Sequence, residues 1–204
     1  MMSNEHELLR GFVAGRLRAL AALPEHPRKA ALANLRRGVD CAPGDLPELW
    51  GAFLETLPPE LEGKEGRPSK AEWAAYLAMT LYALHQQGHD LLHENMNRPG
   101  EGLGKAVRRL ANEQLKHVAG GKPADAPVLR RFNALATAEA MPERVHHLRG
   151  IVQLLRAEGI PLDYVRLAED LYWLQVPAVA PRIRLQWGQD YYRLPKDENP
   201  EEEN

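Results

Sequence analysis

The chain has 204 residues, 44% of them hydrophobic and 26% charged, with a formal net charge of −2. That is enough apolar material for a buried core and too much for a disordered chain. One cysteine, Cys41, excludes an intramolecular disulfide and a multi-cysteine zinc site. Neither a signal-peptide pattern nor a run of 18 apolar residues is present, so a cytoplasmic protein without a membrane partner is expected.

The elements read as helices throughout. The stretch "SNEHELLRGFVAGRLRALAAL" opens the chain and is stopped by Pro24. Pro27 then stands where a first-turn proline is tolerated, and Gly38 where a glycine closes a helix. In "DLPELWGAFLETL" Asp45 reads as an N-cap with Glu48 three residues on, ending at Pro58-Pro59. "SKAEWAAYLAMTLYALHQQG" repeats the device with Ser69, Glu72 and a closing Gly88. Further helices are expected at "LGKAVRRLANEQLKHV", "APVLRRFNALATAEA", "PERVHHLRGIVQLLRAEG", "DYVRLAEDLYWLQ" and "PRIRLQWGQDYYR". In the third of these, Val145, Leu148, Ile151, Val152 and Leu155 form one apolar stripe at helical spacing. No alternating β-branched run bounded by turns appears, so strands are not expected. The expected fold is all-α, two packed helical bundles of about eight or nine helices with no β-sheet. The expected organisation is an N-terminal bundle over 1–119, a linker loop at 120–127, a C-terminal bundle over 128–195 and an acidic disordered tail over 196–204. A second Pro/Gly-rich segment, "PPELEGKEGRP", covers 58–68.

Three constellations resemble catalytic sites and each departs from what the chemistry needs. "GEGLGK" over 100–105 imitates a phosphate-binding loop, but Pro99 stands where its first glycine belongs and Ala106 where it needs a hydroxyl. His85, His89 and His93 lie four residues apart, yet Gly88 is placed to end that helix before a metal-binding ladder forms. A metal hydrolase built on His89 and His93 is the distant reading of this segment. His146 and His147 are adjacent, so on a helix they diverge by about 100°. Cys41 has no activating base beside it in sequence. No enzyme, metal or cofactor is expected. The tryptophans at 50, 73, 173 and 187 read as core or interface anchors.

The charge is unevenly laid out. The last eight residues, "DENPEEEN", hold five acids, and without them 26 bases face 23 acids. Between Gly104 and Arg156 ten Lys/Arg stand against four Asp/Glu. On helices an arginine with an acid three or four residues away is usually satisfied locally. Arg166 has Asp163, Glu169 and Asp170; Arg109 has Glu113; Lys105 has Glu101. Arg108, Arg130, Arg131, Arg149, Arg156, Arg182 and Arg184 have none at those offsets. Arg36 and Arg37, in "ALANLRRG", have only Asp40, across the turn expected at Gly38. Arg149, Gln153 and Arg156 share one helical face, as do Lys105, Arg108 and Arg109. Guanidinium groups suit phosphate because their planar fork donates in pairs and stays charged. No aromatic residues interleave with them, so contact with sugar-phosphate backbone is expected, with little reading of bases. The alternative is a helical adaptor or scaffold whose basic face meets acidic protein surfaces.

"ALANLRRG", "APGDLPELW", "GLGKAVRRLA", "VLRRFNALATAEAMPERVHHLRGIVQLLRAEGIPLDYVRLAEDLYWL" and "RIRLQWGQDYYR" together resemble the CasB family, over about Arg28 to Arg193 and in the same order. This family is the small subunit of the type I-E CRISPR surveillance complex, Cascade. The resemblance implies a non-catalytic all-helical protein that acts in antiviral defence. It implies contact with the guide RNA–target DNA hybrid and the displaced DNA strand, which stabilises the R-loop. The implied protein partners are CasC-type backbone subunits, the CasA-type large subunit and a second copy in a head-to-tail pair. Carried over by position, the implied nucleic-acid-binding residues are Arg36, Arg37, Lys105, Arg108, Arg109, Arg130, Arg131 and Arg149, with Arg182 and Arg184 on the last helix. The 58–68 stretch and the acidic tail have no family counterpart, and nothing is carried over to them.

Overall fold

The capping box expected at Ser69 forms. Its hydroxyl accepts the Glu72 amide at 3.0 Å, and Glu72 Oε2 accepts the Ser69 amide at 2.6 Å. The helix it starts, α4 (Lys70–His85), buries thirteen of its sixteen residues, five of them alanine. A helix apolar on every side has to lie inside the molecule, and small side chains let neighbours approach closely. In the computed structural model, which describes residues 2–53 and 55–193, α4 is the central rod. The acidic tail expected at 196–204 lies outside the described residues.

Around α4 pack α1 (Met2–Ala22), α2 (Glu25–Arg37), α7 (Met141–Ala157) and α8 (Tyr164–Leu174). A second group forms around α5 (Leu103–Leu115), which lies on α6 (Pro127–Thr137), α7 and α9 (Ala180–Tyr192). The loop at 120–127 lies between α5 and α6, but the helices on its two sides interleave: α8 packs on α1 and α4, and α5 on α9. One hydrophobic core runs through both groups. The stripe Val145, Leu148, Ile151, Val152 and Leu155 is buried in it. Among the described residues β-structure is limited to two isolated bridges, Lys64 with Arg67 and Asn97 with Leu162. No helix among them is long and apolar enough to cross a membrane.

The expected helix at "DLPELWGAFLETL" is the clear departure. Among the described residues only a 3-10 turn, Pro47–Leu49, and the four-residue α3, Trp50–Phe53, form there. Asp45 turns backward and accepts the Ala42 amide at 2.7 Å, so it closes the preceding turn. Pro47 supplies no amide hydrogen, and Gly51 weakens the helix within its first two residues. Gly38 does close α2, though in a right-handed conformation with φ −79°. Its small size is what counts: a Cβ there would stand 2.7 Å from Leu49 Cδ1 and 2.5 Å from the Tyr76 hydroxyl.

Candidate nucleic-acid interface

The arginines fall into three groups according to what answers their charge. Arg37 Nη2 meets Glu48 Oε1 at 2.8 Å, Arg109 Nη2 meets Glu101 Oε1 at 3.0 Å, and Arg149 Nη1 meets both oxygens of Asp40 at 2.6 and 2.7 Å. For Arg37 and Arg149 the expected lack of an internal counter-charge does not hold. The acids come from outside the three-to-four-residue window, Asp40 from 109 positions away. Arg109 takes Glu101 in place of Glu113, and Arg166 takes Asp190 at 3.0 Å in place of its helical neighbours. Arg37, Arg109 and Arg149 are all well exposed. Exposed pairs of this kind contribute about 0–1 kcal/mol, so they yield readily to a stronger anion.

Backbone carbonyls answer a second group. Lys105 Nζ donates to Gly100 O at 3.2 Å, and Arg108 Nη1 donates to Tyr191 O at 3.0 Å across the α5–α9 contact. In the third group, Arg36, Arg130, Arg131, Arg182 and Arg184 have no side-chain hydrogen bond or ion pair among the described residues. Arg130 and Arg131 are exposed on α6, and the Arg131 guanidinium lies across Gly150 of α7 where a Cβ would stand. Arg182 borders a cavity of about 330 Å³ beside Arg166, Glu169 and Asp170.

Arginines of two helices are linked here. α2 ends in Arg36 and Arg37, and α7 carries Arg149 and, in its last turn, Arg156. Asp40 joins the α2 end to Arg149. At the other end of the α7 face, Arg156 lies near enough to Arg36 to lower its proton affinity, after burial the next cause. Arginine stays charged throughout the physiological range, so Arg36 bears a cost from its partial burial first and from the like charge of Arg156 second. Both arginines lie at helix C-termini, whose negative dipole ends offset part of that cost.

Arg36 also lines the wide groove between α2 and the turn that succeeds α4. The groove has a volume of about 750 Å³, with Arg28, Leu32 and Arg36 on one wall and Gln87, His89 and Leu92 on the other. Arg156 Nη1 donates to Gln87 Oε1 at 2.9 Å, and His89 Nε2 stands 3.1 Å from the Arg156 carbonyl oxygen. Glu25 and Asp90, the acids of the same groove, are engaged by Lys29 and His93. Arg156 is not among the residues that the family resemblance implies. Its lack of a helical counter-charge, shared with Arg149 on the same face, is the sequence signal that points to it.

The histidines of the 85–93 segment do not converge. His85 is buried against the Tyr164 hydroxyl at 2.9 Å, and burial pushes it down to about 4, so it is neutral. His89 meets Glu94 and His93 meets Asp90. Of the tryptophans, Trp187 is buried and Trp50 is 49% exposed.

Residues 31–192 match the family described as CRISPR-associated protein Cse2. The crystal structure of CasB from Thermobifida fusca is similar at 35% sequence identity, with a TM-score of 0.70, over 91% of this chain and 98% of that one. No curated protein matches.

Proposed function

The chain belongs to the CRISPR-associated Cse2 (CasB) family, and on that premise we propose that it is the non-catalytic small subunit of a type I-E Cascade complex. Its work is to hold nucleic-acid backbone. The observation that carries this reading is Arg36 on the wall of an open groove without an ion pair, with the Arg156 charge near it and Arg156 Nη1 bonded to the neutral Gln87 side chain on the opposite wall. A phosphodiester passing that point relieves their repulsion and gains charge-assisted hydrogen bonds. Arg149 and Arg37 flank the pair, with carboxylates that are weakly held.

The energetic demand is small. Opening the target duplex while the guide pairs with one strand is a near-balanced exchange, so modest contacts to backbone shift it. Each free arginine need contribute only on the order of 1 kcal/mol. Sequence information stays with base pairing, which fits a surface without aromatic platforms. The hybrid and the displaced strand are the ligands of this reading. CasC-type and CasA-type subunits and a second copy of the chain are its protein partners. A net charge of −2 suits a subunit that docks into an assembly, because it needs one basic face and not a basic body.

The test is retention of target DNA by the assembled complex carrying Arg36→Ala and Arg156→Ala together. Retention should fall roughly tenfold, as the loss of about 1.4 kcal/mol implies, with the melting temperature of the isolated subunit little changed. Full retention would remove the reading and favour an acidic protein partner for the same face.

A further inference from the structure

Tyr191, in the last turn of α9, ties cations from two other helices to the place where that helix ends. Its carbonyl oxygen accepts Arg108 Nη1 of α5 at 3.0 Å, and its ring lies 5.8 Å from that of Phe132 on α6. Phe132 directly follows Arg130 and Arg131, both exposed and without a side-chain hydrogen bond or ion pair among the described residues. Arg193, two residues beyond Tyr191, is exposed as well and has no ion pair among them. The acids of these helices do not answer the charge. α6 carries none, and the single acids of α5 and α9, Glu113 and Asp190, pair with Lys116 at 3.4 Å and with Arg166 at 3.0 Å.

Apolar packing holds this arrangement in place, since Phe132 packs on both Tyr191 and Trp187 of α9. The arginines therefore stay near one another whatever their repulsion, and the negative end of the α9 dipole offsets only part of it. From this spot the chain continues with the opposite charge. The eleven residues after Arg193, "LPKDENPEEEN", hold five carboxylates against one lysine. Asp197 stands four residues beyond Arg193 and Glu203 ten, which an extended chain spans in at most about 14 and 36 Å. Rings 5.8 Å apart put Phe132, with Arg130 and Arg131 beside it, inside that reach.

We propose that the acidic run from Asp197 to Glu203 is the internal counter-ion of Arg108, Arg130, Arg131 and Arg193, and that nucleic acid takes this face by displacing it. The competitor comes from the proposed function; the ion pairing does not depend on it. Each exposed pair is weak, but attachment to the same chain keeps the carboxylates at an effective concentration on the order of millimolar. A free strand has to outcompete them. A strand already seated on the rest of the complex does so readily, because its phosphates release condensed counterions as they bind. The acidic run thus discourages stray nucleic acid more than it discourages the correct ligand.

The test compares the full chain with a full-length variant whose run is neutral: Asp197→Asn with Glu198→Gln, Glu201→Gln, Glu202→Gln and Glu203→Gln. Without nucleic acid, in about 50 mM chloride, the NMR signals of Arg108, Arg130, Arg131 and Arg193 should differ between the two proteins and those of Arg36 should not. The difference should close near 500 mM, as screening requires. A short oligothymidylate should bind the neutral variant about three- to tenfold more tightly at the lower salt. Adding Arg130→Gln and Arg131→Gln to both proteins should cut that gain to less than half. Unchanged arginine signals overturn the proposal whatever the oligonucleotide does. So does equal affinity of the two proteins for the oligonucleotide, or a gain that persists in full without Arg130 and Arg131, which would reflect net charge alone. Localised signal changes when neither protein binds nucleic acid would uphold the counter-ion and remove the proposed function.

Discussion

Asp170 is 4% exposed on α8 and accepts a hydrogen bond from Trp187 Nε1 at 2.7 Å. Burial raises its carboxyl from 3.8 to about 6, against the Trp187 bond and the Arg166 charge, which pull it down. A folded-state value above the unfolded one means that protonation favours folding. Asp170 therefore gives its full stabilising contribution below pH 3.8 and has lost it once the pH has risen through about 6. The size of that loss is roughly 3 kcal/mol. Asp170→Asn keeps an acceptor oxygen for Trp187 and carries no charge at any pH. Its melting temperature should exceed that of the unmodified protein at pH 7, and the two should converge near pH 4. Parallel pH profiles would contradict burial as the cause. At this scale the sequence shows a charge but not its answer. Offsets of three and four residues find partners on the same helix, whereas Asp40 reaches Arg149 and Asp190 reaches Arg166 only after folding. Arg36 could be read as uncompensated from its neighbours alone, and Arg37 could not, because Glu48 arrives from the irregular segment beyond the turn.

Helix-to-helix contact in this fold depends on small residues at particular points. At Gly104 of α5 an added Cβ would strike the Trp187 carbonyl oxygen of α9 and stand 2.7 Å from Asp190 Cβ. Backbone cannot yield as a flexible side chain does, so Gly104→Ala should destabilise by about 1–3 kcal/mol. Chemical denaturation would show this as a lower midpoint with an unchanged slope. Gly150→Ala is the contrasting case, since the atoms nearest to the added methyl all belong to the Arg131 side chain. Stability should hardly change, and Arg131 should swing free of α7. An equal loss in both variants would mean that the α6–α7 contact is as tight as the α5–α9 one. Element positions were legible where local signals agree, as at Ser69 and Glu72, and where apolar spacing is strong, as along α7. They failed at "DLPELWGAFLETL", where a plausible cap at Asp45 competed with Pro47 and Gly51 and the tertiary turn took the cap.

For the molecule as a whole, the all-helical class was legible because no segment carries the two-residue alternation of a strand. The interleaving of helices across 120–127 was not, because linker composition says nothing about which faces meet. Only the burial of α4 on all sides hints that helices from both ends must surround it. What the assembled shape adds to the sequence is a surface that answers part of its positive charge internally and leaves Arg36, Arg130, Arg131 and Arg182 without ion pairs among the described residues. The most direct measurement of that claim is the salt dependence of binding to a guide RNA–target DNA hybrid, for the unmodified chain and for the Arg36→Ala, Arg156→Ala variant. If those two groups contact phosphates, affinity falls steeply between about 50 and 200 mM salt and the slope of log K against log salt is smaller in magnitude by about 1–2 in the variant. Identical slopes for the two proteins, or binding indifferent to salt, would contradict it.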